Sequence, residues 1–401
     1  MRQPPDRANK PTRVFVLTNA DCTRRRLDVA RLRNYFLANG CELADSAAEA
    51  DRVVVVTCAY TEKAEDLAVE MVRDLARRPE SLIVAGCLPA INPRRLREVF
   101  SGAAVPTHSL AGIDRCFPGF SVPFASVEDG HRAGPAALVP SVRPSVLLRT
   151  IGRRPFFAAR MFLKKRRIDR FRRSQYYIRT SWGCRGACSY CVIREAIGPL
   201  QSKPVEDCRR ELLAAVASGQ AGVVLDGDDL GAYGLDRGST LPELLRALLA
   251  AEGGCVLDIE EINPRWLVAY VDELAPILST RRVRSLCCCL QSGSGRVLRL
   301  MNRYAETEKI SAALVKIRSA APALKLSAHV IVGFPSETEA EFEETIRAVE
   351  AGGFASVLVF GYQDKPGSRS AGFAGQIPAA AIAGRVKRIH SRLSRRGVDV
   401  L

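Results

Sequence analysis

No uninterrupted apolar run in this chain of 401 residues approaches the ~18 that a bilayer-spanning helix needs. The opening stretch, MRQPPDRANK, lacks the apolar core of a secretory signal, so a leader is not expected. Short-period repeats and heptads are absent, which argues against solenoids and coiled coils. Histidine is scarce, with four residues in all. Nor is the composition that of a disordered chain, since 47% of residues are apolar and 25% charged. These absences leave a soluble, cytoplasmic, globular protein of two or three domains, or one large barrel with an appendage.

Charge is present but unevenly spread. Lys and Arg number 59 against 43 acids, a formal net charge of +16. Residues 143–173 hold twelve of the basic residues and one acid, Asp169. Phe156, Phe157, Phe162, Leu163, Ile168 and Phe171 are interleaved with them. A basic amphipathic helix after Pro155 fits this pattern, laid on nucleic acid, on an anionic membrane surface or across another domain. A solvated basic linker is the plainer alternative.

Thirteen cysteines are too many for chance neglect and too dispersed for a small disulfide scaffold. In a reducing compartment, clustered cysteines more often hold a metal or do redox chemistry. The first third of the chain reads as three strand–helix units. Val14–Leu17, Val53–Val56 and Leu82–Ala85 are short apolar runs, and helices are predicted over 24–38, over 62–77 and from about Asn92-Pro93. This pattern predicts a parallel sheet covered on both faces. Cys22, Cys58 and Cys87 each fall just past a strand end, on the edge where such sheets bind ligands. They can converge there, or be small buried apolar residues, as free Cys usually is. Residues 101–142, rich in Ala, Pro, Gly and Ser, read as a loop.

From about Tyr176 strands and helices alternate again. Predicted strands are 177–180, 222–225, 256–259, 283–290, 326–332 and 356–360. Six βα units in about 190 residues fit a partial or full βα barrel, with function at the C-terminal strand ends. Just after the first of these strands stands Trp182-Gly183-Cys184-Arg185-Gly186-Ala187-Cys188-Ser189-Tyr190-Cys191. Three cysteines spaced by three and then two residues fit a tight loop around one face of a cubane cluster. Zinc normally takes four ligands, and no fourth Cys or His lies nearby. A 4Fe-4S cluster on three thiolates leaves one iron open for a small ligand.

This loop, with its aromatic residue before the third Cys, resembles the signature of the radical S-adenosylmethionine (SAM) superfamily. Over nearly the whole chain the sequence is similar to the methylthiotransferases of that superfamily. The resemblance rests on Ala50-Asp51, Thr57-Cys58-Ala59 and Ala85-Gly86-Cys87 in the first third. In the second part it rests on Ala232–Asp236, Gln291–Ser294, Met301-Asn302-Arg303, Ile331–Thr338 and Pro366-Gly367-Ser368. It implies two 4Fe-4S clusters, on Cys184, Cys188 and Cys191 and on Cys22, Cys58 and Cys87. It also implies SAM as cofactor, with Tyr190, Gly227, Asp228, Gln291, Ser292 and Arg303 as SAM-side residues. The implied reaction inserts sulfur into an unactivated C–H bond and methylates it. The implied acceptor is a tRNA nucleoside or a ribosomal protein side chain. A peptide or small metabolite is the alternative acceptor, and a cluster-containing RNA-binding protein the non-enzyme alternative. Flavodoxin or ferredoxin is the expected electron donor, tRNA the expected partner of 143–173, and a monomer the expected state.

The departures lie mostly on the substrate side. Arg25 stands where the family usually has Asn, and His329 where it has Asp. Arg194, Ile197-Gly198 and Gln201-Ser202-Lys203 replace a Pro, an Arg-Gly and an Arg-Ser-Arg. Gly227-Asp228-Asp229 stands where Gly-Gln is common. No RNA-gripping TRAM domain is expected before Leu401. His329 itself reads as core or surface. Cys287-Cys288-Cys289 lie on one predicted strand, where successive residues face opposite sides, so they do not make one ligand set. Cys41, Cys116, Cys208 and Cys255 carry no assignment.

The expected fold is α/β, an N-terminal parallel domain plus a partial (βα)6 TIM-like barrel. The expected boundaries are a disordered tail at 1–11, the first domain at 12–125, a basic linker at 126–174, the barrel at 175–375 and a helical tail at 376–401.

Overall fold

A computed structural model describes residues 11–20, 22–132 and 175–401. The tail residues 1–10 and the basic segment 143–173 therefore lie outside the described residues. The chain divides into two compact units, 1–175 and 176–401.

The first unit is built on a five-stranded parallel sheet. Its strands are β1 (Arg13–Thr18), β2 (Glu42–Leu43), β3 (Arg52–Thr57), β4 (Leu82–Gly86) and β5 (Ala103–Pro106), in the order β2-β1-β3-β4-β5. Helices Thr23–Ala38 and Glu62–Leu75 follow β1 and β3. The valines of β3 are fully or almost fully buried, as a central strand covered on both faces requires. The loop expected over 101–142 is corrected at its start: Ala103–Pro106 pairs with β4 as an edge strand. Two alanines and a proline carry little strand signal, and the pairing comes from the exposed edge of β4. Further on, Ile113, Phe117, Phe124 and Val127 pack into the core against Tyr35 and Phe36. Arg31 ties the segment down with an ion pair to Asp129 at 3.1 Å.

The second unit carries an eight-stranded sheet. Six parallel strands form its body: β6 (Tyr176–Trp182), β8 (Gly222–Gly227), β9 (Val256–Ile262), β10 (Val283–Gln291), β11 (Lys325–Val332) and β12 (Ser356–Gly361). The two-residue β7 (Gln201–Ser202) runs antiparallel to β6 at one edge, and β13 (Asp399–Val400) pairs with β12 at the other. No pairing closes the sheet among the described residues. The C-terminal segment is thus not only helical: after the helix Ala379–Arg395 the chain returns to the sheet. Two-residue strands are too short to show a period, which is why the sequence does not announce them. Leu225, Leu257, Leu286, Leu326 and Val357 all enter the core beneath the helices. Alternate residues face the other, inner side.

Candidate active site

Gly183 ends β6 with φ +76, a conformation glycine adopts without strain. A Cβ there would lie 1.9 Å from the Pro199 carbonyl oxygen, so the loop can close this tightly only without one. The Gly183 amide donates to Asp228 Oδ2 at 3.0 Å, and the Cys184 amide to the Gly198 carbonyl at 3.2 Å. The loop then turns back through Cys188 and Cys191, whose amide donates to the Cys188 carbonyl.

Residues 300–303 fasten this loop from outside. Ser189 donates through its amide to the Met301 carbonyl and through its hydroxyl to the Leu300 carbonyl. Asn302 Nδ2 donates to the Ala187 carbonyl at 2.8 Å. Arg303 Nη1 lies 3.5 Å from Cys188 Sγ and 3.3 Å from the Tyr190 hydroxyl, and its Nη2 donates to the Cys289 carbonyl at 2.6 Å. Tyr190 packs against the apolar cluster that holds Val297, Met301 and Phe334.

Asp229, at the end of β8, was not among the expected site residues, yet it touches the loop most directly. Its Oδ2 accepts from the Arg185 amide at 3.3 Å and lies 3.6 Å from Cys184 Sγ, while Trp266 Nε1 holds Oδ1 at 3.0 Å. The only sequence signal was its place just past a strand end. Burial and then the Asp229 charge push the Cys184 thiol up. Burial also pushes up Cys191. Bound iron would supply the charge that draws off their protons.

The donor set fits a 4Fe-4S cluster. No three His, Cys, Asp or Glu side chains among the described residues converge to hold a single metal ion. A cubane does not ask for that, because each thiolate takes a different iron. Gly186 leaves the needed room, since a Cβ would meet Cys184 Sγ at 3.2 Å and Cys188 Sγ at 3.8 Å. Buried polar atoms without partners stand in the same unit: Ser181 Oγ on β6, Gln291 Oε1 at the end of β10, and Arg303 Nε. A polar ligand would satisfy them. Gln291 adopts φ +69, strained for a residue with a side chain. Gly227 presses on Ser181 Oγ, which a Cβ at 227 would meet at 2.7 Å. Ser292 has a different task, its hydroxyl lying 3.2 Å from Thr345 Oγ1 and accepting from the Ser294 amide at 3.1 Å.

In the first unit, Cys22, Cys58 and Cys87 follow β1, β3 and β4 and come together at one sheet edge. Asn19 positions Cys58: its Oδ1 accepts from the Cys58 amide at 2.8 Å, and its Nδ2 donates to the Ala64 carbonyl at 2.7 Å. Thr57 accepts the Cys87 amide on its carbonyl at 2.9 Å and the Leu88 amide on its hydroxyl at 3.2 Å. A hydrogen bond from the Cys58 thiol, backed by Arg25 and Arg24, holds the Cys22 thiol down at about 6. The same bond pushes Cys58 up, and burial pushes Cys87 up to about 11. Arg25, 2% exposed, reaches Cys87 Sγ at 3.9 Å and pairs with Asp28 at 3.0 Å. The residue that departs from the family pattern is thus part of this site.

A family model described as the radical SAM superfamily matches residues 178–349. A second, described as uncharacterized protein family UPF0004, matches residues 14–105. Among curated proteins, a probable threonylcarbamoyladenosine tRNA methylthiotransferase of Pyrococcus horikoshii is 27% identical over 382 residues, covering 93% of this chain and 82% of that protein. A ribosomal protein uS12 methylthiotransferase of Acidithiobacillus ferrooxidans is 29% identical, covering 92% and 78%. The chain spans less of the vertebrate relatives, 64% of the Danio rerio protein and 60% of the Homo sapiens one. Among solved structures, the radical SAM methyltransferase TsrM of Kitasatospora setae matches with a TM-score of 0.59 at 16% identity, over 88% of this chain and 75% of that one. That likeness shows the fold.

Proposed function

Because the chain belongs to the radical SAM methylthiotransferase family, we propose that it inserts a sulfur atom into an unactivated C–H bond and caps that sulfur with a methyl group. The observation that carries this reading is the pair of three-cysteine sets, one on the loop after β6 and the other just past β1, β3 and β4. Cys184, Cys188 and Cys191 would hold one 4Fe-4S cluster, and Cys22, Cys58 and Cys87 the other. When bound, the barrel cluster and SAM supply a one-electron cleavage that makes a carbon radical.

The chain's own residues do the positioning. Arg303 offers its guanidinium to Cys188 and holds Tyr190, so the loop keeps one shape. Asp229 anchors the opposite side of the loop through the Arg185 amide. Gln291 and Ser181 present unpartnered oxygens that can receive the polar groups of SAM. Tyr190, packed on the apolar cluster that includes Phe334 and Met301, would help to keep water from the loop.

For the acceptor, we read a tRNA nucleoside or a ribosomal protein side chain, on the strength of the relatives' names. An electron from a flavodoxin or ferredoxin, a monomeric state and a cytoplasmic location complete the proposal. No helix among the described residues is long and apolar enough to cross a membrane.

Anaerobic reconstitution followed by assay with SAM and a reductant tests the reading. About eight irons per chain are expected, and about four in the Cys184→Ala, Cys188→Ala, Cys191→Ala variant. Both 5′-deoxyadenosine and S-adenosylhomocysteine should form. Saturation at four irons in the wild type, or 5′-deoxyadenosine alone, would overturn it. Loss of a methylthio nucleoside from the tRNA of a deletion strain identifies the acceptor; unchanged nucleosides with a missing sulfur-bearing metabolite would point to a small-molecule acceptor.

A further inference from the structure

Cys287 and Cys289 are two residues apart on β10 and share its inner face. Leu286, Cys288 and Leu290 point the other way, into the core under the helices. On neighbouring β11, Ser327 and His329 share the inner face, while Leu326, Ala328 and Val330 join the core. Cys289 Sγ lies 3.8 Å from His329 Nδ1. Cys289, His329 and Ser327 stand near enough to Cys287 to hold its thiol well below the ordinary range. The pairing register of β10 slips against both β9 and β11 here, an irregularity of the kind that bends a strand and re-aims its side chains. The sequence showed three consecutive cysteines and a distant histidine; the sheet turns them into two thiols and an imidazole in one place.

The surroundings are defined on every side. Phe360 of β12 stands edge-on to the His329 ring, with centroids 5.9 Å apart. Glu260 and Glu261 of β9 act on the imidazole, and Glu261 and Arg303 on Cys289. Arg303 also links this place to the cluster loop, since one guanidinium touches both the Cys289 carbonyl and Cys188 Sγ. The positioning roles above use none of these three side chains. No group of three such donors among the described residues is arranged for a single metal ion. What two thiols and a base can then do is nucleophilic and redox chemistry.

We propose that Cys289, with His329 as its proton acceptor and Cys287 as the resolving thiol, is a sulfur-relay site for a persulfide donor. The inference rests on the sulfur-inserting reading above. Cys289 gives its proton to His329, and the thiolate attacks the terminal sulfur of R–S–S–H. The donor's S–S bond breaks, and R–S⁻ leaves and takes the proton as R–SH, so Cys289 becomes Cys289–S–S–H. Cys287, deprotonated in turn, attacks Cys289 Sγ. A Cys287–Cys289 disulfide forms and the carried sulfur leaves as hydrosulfide. Over the two steps the cysteine pair loses two electrons, and the donor's sulfur pair gains them as thiol and hydrosulfide. A dithiol reductant restores the pair and ends as its own disulfide.

The test uses the reconstituted holoenzyme. It is exposed anaerobically to glutathione persulfide, desalted, alkylated and digested with trypsin, and the peptide 285–296, which holds all three cysteines, is fragmented by mass spectrometry. In Cys287→Ser one added sulfur on Cys289 and none on Cys288 is expected, while the wild type, having released hydrosulfide, should carry a Cys287–Cys289 disulfide. Cys289→Ser should neither load sulfur nor release hydrosulfide. His329→Asn should slow loading near pH 7 on the order of a hundredfold and recover as the pH is raised and the thiol ionises without a base. A histidine that serves packing alone would show no such recovery. Equal loading of Cys288, an unchanged outcome in Cys289→Ser, or neither loading in Cys287→Ser nor hydrosulfide release by the wild type would overturn the proposal. SAM products are measured on the same samples. Both products with neither loading nor hydrosulfide release remove the relay alone; loading of Cys289 with 5′-deoxyadenosine as the sole product removes the sulfur-inserting reading alone.

Discussion

The guanidinium of Arg303 points a donor at the thiol of Cys188, 3.5 Å away, although 115 residues separate them. The same side chain bonds the Tyr190 hydroxyl and the Cys289 carbonyl, so it joins the cluster loop to the end of β10. Arg303→Met should leave those two buried acceptors unsatisfied and cost about 1–3 kcal/mol each. Iron retained by the barrel set should fall with it. Arg303→Lys should keep the charge but lose the fork, giving a lower Tm with nearly normal iron. Iron content and thermal melts of the two variants check both statements.

Gly183 predicts a second outcome. Its φ of +76 and the Pro199 carbonyl 1.9 Å from any Cβ leave no room for a side chain. Gly183→Ala should destabilise the unit by about 2 kcal/mol or more and lower iron uptake at Cys184. Gly384→Ala is the control. It lies inside the helix Ala379–Arg395 with nothing near its Cβ position, and should gain about 0.5–1 kcal/mol with unchanged iron.

Gln291 should separate stability from binding. Its Oε1 is buried without a partner, so the folded chain gains little from it. Gln291→Ala should leave the Tm close to wild type and weaken SAM binding by about tenfold, the worth of one hydrogen bond to a charged ligand. A drop in Tm with unchanged SAM affinity would assign the residue to packing instead.

Glu341 sets a pH dependence. Arg296 holds its carboxyl down at about 2, against an ordinary 4.5, through bonds of 2.7 Å to both oxygens. Thr338 and Ser294 donate to it as well. The folded chain therefore binds this proton less readily than the unfolded chain. The stabilisation is fully present above about pH 4.5 and is lost as the pH falls towards 2, in total about 2–3 kcal/mol. Glu341→Gln should flatten that limb of the stability curve, as denaturant titrations between pH 7 and 3 would show. The Gln291–Ser294 turn, which Glu341 ties to the helix Glu339–Gly352, should loosen in the same variant.

Much of the candidate site was legible because its signals are local. Cys184, Cys188 and Cys191 share one loop, so their spacing alone brings them forward as one candidate ligand set. Cys22, Cys58 and Cys87 were legible by topology, because parallel strands with covering helices send every strand end to the same edge. Asp229 was not legible, since a second acid after Asp228 looks like any turn residue until Trp266 and the Arg185 amide close on it. Asn19 was missed for the same reason: its bonds reach 39 and 45 residues along the chain.

The sequence by itself determined the alternation of strands and helices and which cysteines stand just past the predicted strand ends. Those depend on period, composition and spacing, which neighbouring residues carry among themselves. Tertiary structure decided that Ala103–Pro106 pairs with β4 and that Val400 returns to β12, because an edge strand is recruited by its partner's unpaired backbone groups. It also decided that Cys289 meets His329 while Cys288 turns into the core. The alternation of a strand was predictable, but which side is inner, and what the next strand brings there, depends on register. Register is set by the packing of the whole sheet against its helices.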